Sequence, residues 1–268
     1  MGRKLTKEEL EKHKKDALNK MEKYLDSLID DSDPKANGKA DKLSYWLEDW
    51  TTFLDFEPNF SPSSLRRYKR GEIIKAHLGY NVGSEEGGLH YCVVVEKNNS
   101  KNSPVLTVVP LTSVKDNVTT IKLHKGCVYL GNELYVSLSK KTSNALKMLQ
   151  EKVDRVQKTI DALSKNSPID AVQFKKDLEE YKTDLEFVKR MQNETEKMKH
   201  GSIALVGQIK TISKIRIYDP KTNFDILSNV KLSSERLDCI DNEIISNFTN
   251  NKVDYQRATS ITFIDKCI

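Results

Sequence analysis

His90, Thr112, Ser113 and Lys115 lie within one stretch, residues 69–115, with Glu85 upstream of them. Together they offer a proton-transfer group, two hydroxyl donors, a positive charge and a carboxylate. An unperturbed imidazole titrates near neutrality and so can serve as base or acid. Hydroxyls and an ammonium aimed at one point stabilise negative charge as it develops on an oxygen. Such a set suits attack of a hydroxyl on a neighbouring phosphorus, with one proton removed, one returned, and charge held on the phosphoryl oxygens. Each residue also has a plainer reading. A lone histidine at a strand start is commonly a hydrogen-bonded surface group, Thr112 and Ser113 are good turn caps, and Lys115 is well solvated at a surface.

Three apolar segments, residues 72–76, 91–96 and 105–111, must position these groups. They are short, rich in β-branched residues and separated by Gly, Asn, Ser and Pro, which predicts strand, loop, strand, loop, strand. The first loop, Gly83-Ser84-Glu85-Glu86-Gly87-Gly88, leads into His90, and the third strand ends in Pro110-Leu111-Thr112-Ser113-Val114-Lys115. Loops on a rigid β scaffold are where chemistry usually sits. The glycines do not make a nucleotide-binding loop, because no Gly-Lys-Ser/Thr follows and no helix opens there. His13, His77, His124 and His200 are too scattered for a metal site. The residues call for no metal and no cofactor.

The order of these pieces resembles the MazF/PemK family of endoribonuclease toxins. It is carried by Arg70-Gly71-Glu72-Ile73-Ile74, Gly83-Ser84-Glu85 with Gly87-Gly88, a valine run, and a strand ending in Thr112. Gly207-Gln208-Ile209-Lys210-Thr211-Ile212-Ser213-Lys214 is similar to the family's second signature, and the run Pro110 to Lys115 resembles that of the ToxN/AbiQ toxins. The resemblance covers residues 68–123 and 202–248. It implies an α+β fold built on an SH3-like, strongly curved β barrel with a C-terminal helix. It also implies sequence-selective, metal-independent cleavage of single-stranded RNA by 2′-hydroxyl attack, in a toxin–antitoxin pair. A homodimer and a protein antitoxin follow from the family alone. By this likeness His90, Thr112, Ser113 and Lys115 are the candidate catalytic residues. Ser84, Glu85, Gln208, Lys210 and Arg70 are the candidate RNA contacts, Glu85 being either a second acid–base group or a positioner of its loop. Thr112 matches a catalytic threonine and Gln208 an RNA-binding glutamine. His90 stands where the family has arginine, Tyr91 where it has proline, and Gly207 where it has glutamate. The alternative reading is a catalytically silent barrel of this type that binds RNA or protein.

Around this centre the chain divides into a helical segment (1–60), the barrel (66–138 and 200–250), an inserted antiparallel helical hairpin (139–199) and an extension (251–268). Thr6 and Glu9 form a capping box for a first helix. Leu10, Ala17, Met21, Tyr24 and Leu28 make its apolar stripe. Asp41 is the predicted cap of a second helix, with Trp46, Trp50 and Phe53 on one face. Arg66, Arg67, Lys69 and Arg70, with Tyr68 among them, read equally as a solvated linker or a phosphate-facing patch. In 139–199 apolar residues recur at steps of three and four, from Thr142 to Leu163 and from Leu178 to Met198, broken at Ser164–Ser167. That predicts a hairpin roughly 40 Å long by helix rise, removable from the barrel and clear of the active groove. Residues 202–212 and 214–218 read as strands, Ser233 or Ser234 caps a last helix, and 260–264 alternates like an edge strand.

Charged residues make up 31% of the 268-residue chain, apolar ones 37%, and the net charge is +5. This predicts a soluble, cytoplasmic protein that tolerates an anionic partner. No apolar run approaches the ~18 residues of a membrane span. Cys92, Cys127, Cys239 and Cys267 are far apart, which predicts free thiols.

Overall fold

The computed structural model describes residues 4–115, 120–163, 171–198, 201–251 and 260–262. The chain forms two compact units, one of residues 1–60 with 79–88, the other of 61–78 with 89–268.

In the first unit, α1 (Lys7–Ile29) opens with the predicted box: Glu9 N–H donates to Thr6 Oγ1 at 3.2 Å, and Thr6 N–H to Glu9 Oε2 at 2.8 Å. The second helix, α2 (Pro34–Phe56), starts seven residues before the predicted Asp41. Its cap is Asp33, whose carboxylate accepts from Lys35 N–H at 2.9 Å. Pro34 therefore both stops α1 and occupies the first position of α2, where its missing N–H costs nothing. Ala40 and Leu43 are buried, whereas Leu10, Tyr45 and Trp50 stay exposed. The loop 79–88 is closed at its base, where Gly88 N–H donates to Gly79 O at 2.7 Å. Ser84 and Glu85 are exposed on it.

In the second unit the three expected strands are present as β1 (Ile73–His77), β2 (Leu89–Val94) and β3 (Val105–Ser113). Further strands are β4 (Thr120–Lys122), β5 (Cys127–Gly131), β6 (Ser202–Leu205), β7 (Lys210–Ser213), β8 (Ile217–Asp219) and β9 (Ser260–Thr262). One sheet runs β5-β6-β3-β2-β1-β8, with β7 also on β3, and β4 pairs with β9. The fold is α+β, but the sheet is open: β5 and β8 end it and do not close a barrel. The strand predicted over 202–212 is broken by a 3-10 turn at Val206–Gln208, so β6 and β7 pair with successive parts of β3. Pairing passes from Val108 with Lys210 to Leu111 with Ala204. Pro110, which has no N–H to give a ladder, falls between these points.

The hairpin consists of α3 (Glu133–Leu163) and α4 (Ala171–Glu196); its predicted break at 164–167 lies outside the described residues. Helix α3 begins earlier than periodicity suggests, because Leu134 and Leu138 are one helical step apart and not strand residues. Both are buried in the main core, as are Met191 and Met198 of the second arm. That core also holds Ile73, Val93, Val109, Leu111, Val128, Leu130, Ala204 and, from α5 (Ser234–Phe248), Ile240. The base of the hairpin is thus part of the sheet's own core, which corrects the prediction of a wholly removable arm.

The basic cluster at 66–70 is neither a solvated linker nor a phosphate patch throughout. Arg66 pairs with Glu72 at 2.7 Å, the two side chains 7% and 6% exposed. Tyr68 is buried and donates to Pro220 O at 2.8 Å. Arg70 pairs with Asp241 of α5 and donates to Val95 O. Cys92, Cys127 and Cys239 are free thiols, and Cys267 lies outside the described residues. No helix among the described residues is long and apolar enough to cross a membrane.

Candidate active site

Antiparallel pairing brings the start of β2 beside the end of β3. Cys92 faces Pro110 and Val94 faces Val108, so the strands run on toward His90 and Thr112. His90 Nδ1 lies 3.3 Å from Leu111 O. A carbonyl only accepts, so Nδ1 is the donor of this bond. On its other edge β3 continues through Thr112 opposite Ile203 and Ser113 opposite Ser202. Val114 N–H then donates to Gly201 O at 3.0 Å. Gly201 has φ +92°, and a Cβ there would lie 2.9 Å from Asn132 Oδ1 and 3.0 Å from Tyr129 Oη, so only glycine lets the chain turn from α4 into β6 here.

These contacts enclose a cleft of about 810 Å³ lined by Leu89, His90, Tyr91, Leu111, Thr112, Ser113, Val114, Lys115, Glu196 and Lys197. All four candidate catalytic residues therefore meet in one cavity. His90 and Thr112 are half-buried, Ser113 and Lys115 exposed at the rim. The Ser113 hydroxyl donates to Lys197 O at 3.2 Å, so its proton is directed to the arm and Thr112 is the remaining hydroxyl donor. With Lys115 and Lys197 against Glu196, the side chains of the cleft favour an anion.

The candidate RNA contacts are distributed differently. Gln208 sits in the 3-10 turn between β6 and β7 and Lys210 opens β7; neither lines the cleft. Arg70 is paired with Asp241 of α5 and donates to Val95 O, as described above. Ser84 and Glu85 belong to the first unit.

What sequence reasoning did not find is the wall supplied by α4. Glu194 accepts from Lys75 Nζ at 3.0 Å, from Lys197 Nζ at 2.8 Å and from the Tyr91 hydroxyl. Burial alone pushes the Glu194 carboxyl up, but hydrogen bonds from Lys197, Tyr91 and Lys75 outweigh it and hold it below the usual carboxylate range. Burial, then the bond to Glu194, pushes the Tyr91 hydroxyl well above the usual phenol range. Tyr91, standing where the resemblance leads one to expect proline, thus anchors the arm. The signal available was Glu194 and Lys197, one helical step apart, close to the apolar positions Met191 and Met198.

Among the described residues no group of three or more His, Cys, Asp or Glu could hold a metal ion. Residues 69–166 match the family model of the PemK-like, MazF-like toxin of type II toxin–antitoxin systems. The match covers less than half of the 268 residues and includes β1 to β5, with every candidate catalytic residue. No curated protein matches the chain.

Proposed function

We propose that this protein is an endoribonuclease toxin of a toxin–antitoxin pair that cuts single-stranded RNA by attack of a 2′-hydroxyl on the adjacent phosphorus. The observation that carries the reading is the meeting in one cleft of His90, Thr112 and Lys115, three residues of the matched span. His90 Nε2 takes the proton of the 2′-hydroxyl as its oxygen bonds to phosphorus. The P–O5′ bond breaks, and the leaving oxygen takes a proton from water in the open cleft. The products are a 2′,3′-cyclic phosphate and a 5′-hydroxyl. Thr112 donates to a non-bridging oxygen and Lys115 supplies charge there, which lowers the barrier because both act most strongly on the charge of the transition state. Ser113 positions the wall. The same likeness supports a homodimer and a protein antitoxin that covers the groove.

The test is incubation of the purified protein with total RNA in the presence of a chelator, followed by mapping of the new ends. Cyclic phosphate and 5′-hydroxyl ends at a recurring motif are expected. A folded protein that leaves RNA intact under all conditions would overturn the reading in favour of a binding module.

A further inference from the structure

A second cavity, of about 350 Å³, adjoins the cleft and shares Leu89 and Lys197 with it. It lies between the last turns of α4, which contribute Arg190 and Asn193, and the strands that carry Lys75 and Tyr218. Tyr218 is 65% exposed. Lys75 Nζ lies 5.9 Å from its ring centroid and donates to both Glu194 carboxylate oxygens at 3.0 Å. Arg190 and Lys197 flank the space with two further cations, Glu194 and Asp219 line it with carboxylates, and Asn193 adds an amide that both donates and accepts. Glu194 is taken up by Lys75 at 3.0 Å and Lys197 at 2.8 Å, so Arg190 is the cation of this wall that stands outside those pairs.

An exposed aromatic, an arginine on one wall and a single amide at the edge suit a splayed-out nucleotide. Bases of single-stranded RNA stack on aromatic faces, their edges are read by hydrogen bonds, and the backbone is held by arginine and lysine. We propose that this second cavity seats the nucleotide next to the scissile phosphate, its base against Tyr218, its phosphate against Arg190, and its edge read by Asn193. The proposal rests on the ribonuclease reading for its substrate class. It makes the base of the inserted hairpin the specificity wall of the groove, a role outside the span of the family match.

The experiment uses the full chain and an RNA oligonucleotide containing the cleavage motif, blocked by 2′-O-methyl groups so that it cannot be cut. Fluorescence anisotropy is measured for the wild type, Tyr218→Ala, Tyr218→Phe, Arg190→Ala and Asn193→Ala, each first checked by its melting curve. Tyr218→Ala is expected to weaken binding about 5- to 150-fold, the loss associated with removing one base–aromatic stack. Tyr218→Phe is expected to restore most of it. On cleavable RNA, Tyr218→Ala should raise KM more than it lowers kcat, and Asn193→Ala should broaden the base preference at the flanking position. Wild-type binding and motif in Tyr218→Ala and Arg190→Ala would overturn the site while leaving the cleavage reading intact. Tyr218-dependent binding without any cutting of RNA by the wild type would uphold the site and sink the cleavage reading. No binding of RNA by the wild type, or binding only of an acidic protein partner at these residues, would overturn the site.

Discussion

The Ser113 hydroxyl at the end of β3 donates to the backbone carbonyl of Lys197, one residue beyond α4, at 3.2 Å. This bond separates two neighbouring hydroxyls that are chemically alike. Thr112 keeps its hydroxyl for the cleft, while Ser113 fixes the wall that faces it. Thr112→Ala should lower kcat about 10²–10³-fold, the usual loss of a donor to a developing oxyanion. Ser113→Ala should lower it by less and broaden the cleavage motif, because the wall loosens. Single-turnover cleavage and end mapping measure both; equal losses in kcat would contradict the division of roles.

His90→Ala should lower the cleavage rate about 10²–10⁴-fold, the usual contribution of a general acid–base group. His90→Arg returns the residue that the MazF/PemK resemblance leads one to expect, and should restore affinity for the blocked RNA more than rate, since a guanidinium does not accept the proton. A rate in His90→Ala equal to the wild type would make the histidine a bystander.

The strands that carry the site were legible because β-branched runs between glycines leave few alternatives. His90, Thr112, Ser113 and Lys115 were legible because they lie on strand ends that pairing must bring together. The arm's contribution was not. Tyr91 and Glu194 are 103 residues apart, and a helical stripe does not reveal which of its turns docks on a sheet. The break between β6 and β7 was missed for a related reason: Val206–Gln208 lies in a run that alternates like a strand, and only the structure shows its 3-10 turn. Arg66 and Arg70 were misjudged because charge in a sequence looks the same whether it meets water, phosphate or a buried carboxylate.

Arg66 and Glu72 give a stability test that separates these cases. Both side chains are nearly buried, and Glu72 Oε2 also accepts from Lys69 N–H at 2.8 Å. Arg66→Ala leaves a buried carboxylate without its cation and should cost about 3–5 kcal/mol. Denaturant unfolding should register this loss, while affinity for RNA per folded molecule should stay near that of the wild type. A large drop in RNA affinity with unchanged stability would restore the phosphate-patch reading.

The contact between arm and sheet should respond to pH. The folded pKa of Glu194 is depressed by its donors, so its contribution is present above the unfolded pKa and is lost as pH falls through the folded one. Asp219 works in the opposite sense, since burial raises its folded pKa and its contribution grows as pH falls. Melting curves across the acid range should therefore show a smaller acid loss of Tm in Glu194→Gln and a larger one in Asp219→Asn. Parallel curves for all three proteins would remove Glu194 as the latch.

The hairpin divides into a base that the fold needs and an outer part that it does not. At the base, Met191 and Met198 are essentially inaccessible within the main core, and the Thr142 and Thr195 hydroxyls meet at 3.1 Å. Lys141 Nζ donates to the carbonyls of Asp225, Ile226 and Ser228 at 2.9, 2.7 and 2.9 Å, and burial lowers its pKa. Farther out, Lys152 of α3 pairs with Asp184 of α4, and Ile160 and Val172 are exposed. Losing a buried methionine side chain typically costs about 2–5 kcal/mol, and a domain has about 5–15 kcal/mol in all. Replacing residues 139–199 with a Gly/Ser linker removes two such side chains, the Lys141 anchor and the cleft wall, and should abolish cooperative unfolding. Replacing only residues 153–183 should keep the melting transition and RNA cleavage near those of the wild type. Because no described residue of 153–183 belongs to the main core or lines the cleft, its loss should fall on partner binding or self-association, read by sedimentation and antitoxin titration. A full deletion that folds and cuts RNA as the intact protein does would show that the arm is an appendage after all, and would remove α4 from the site.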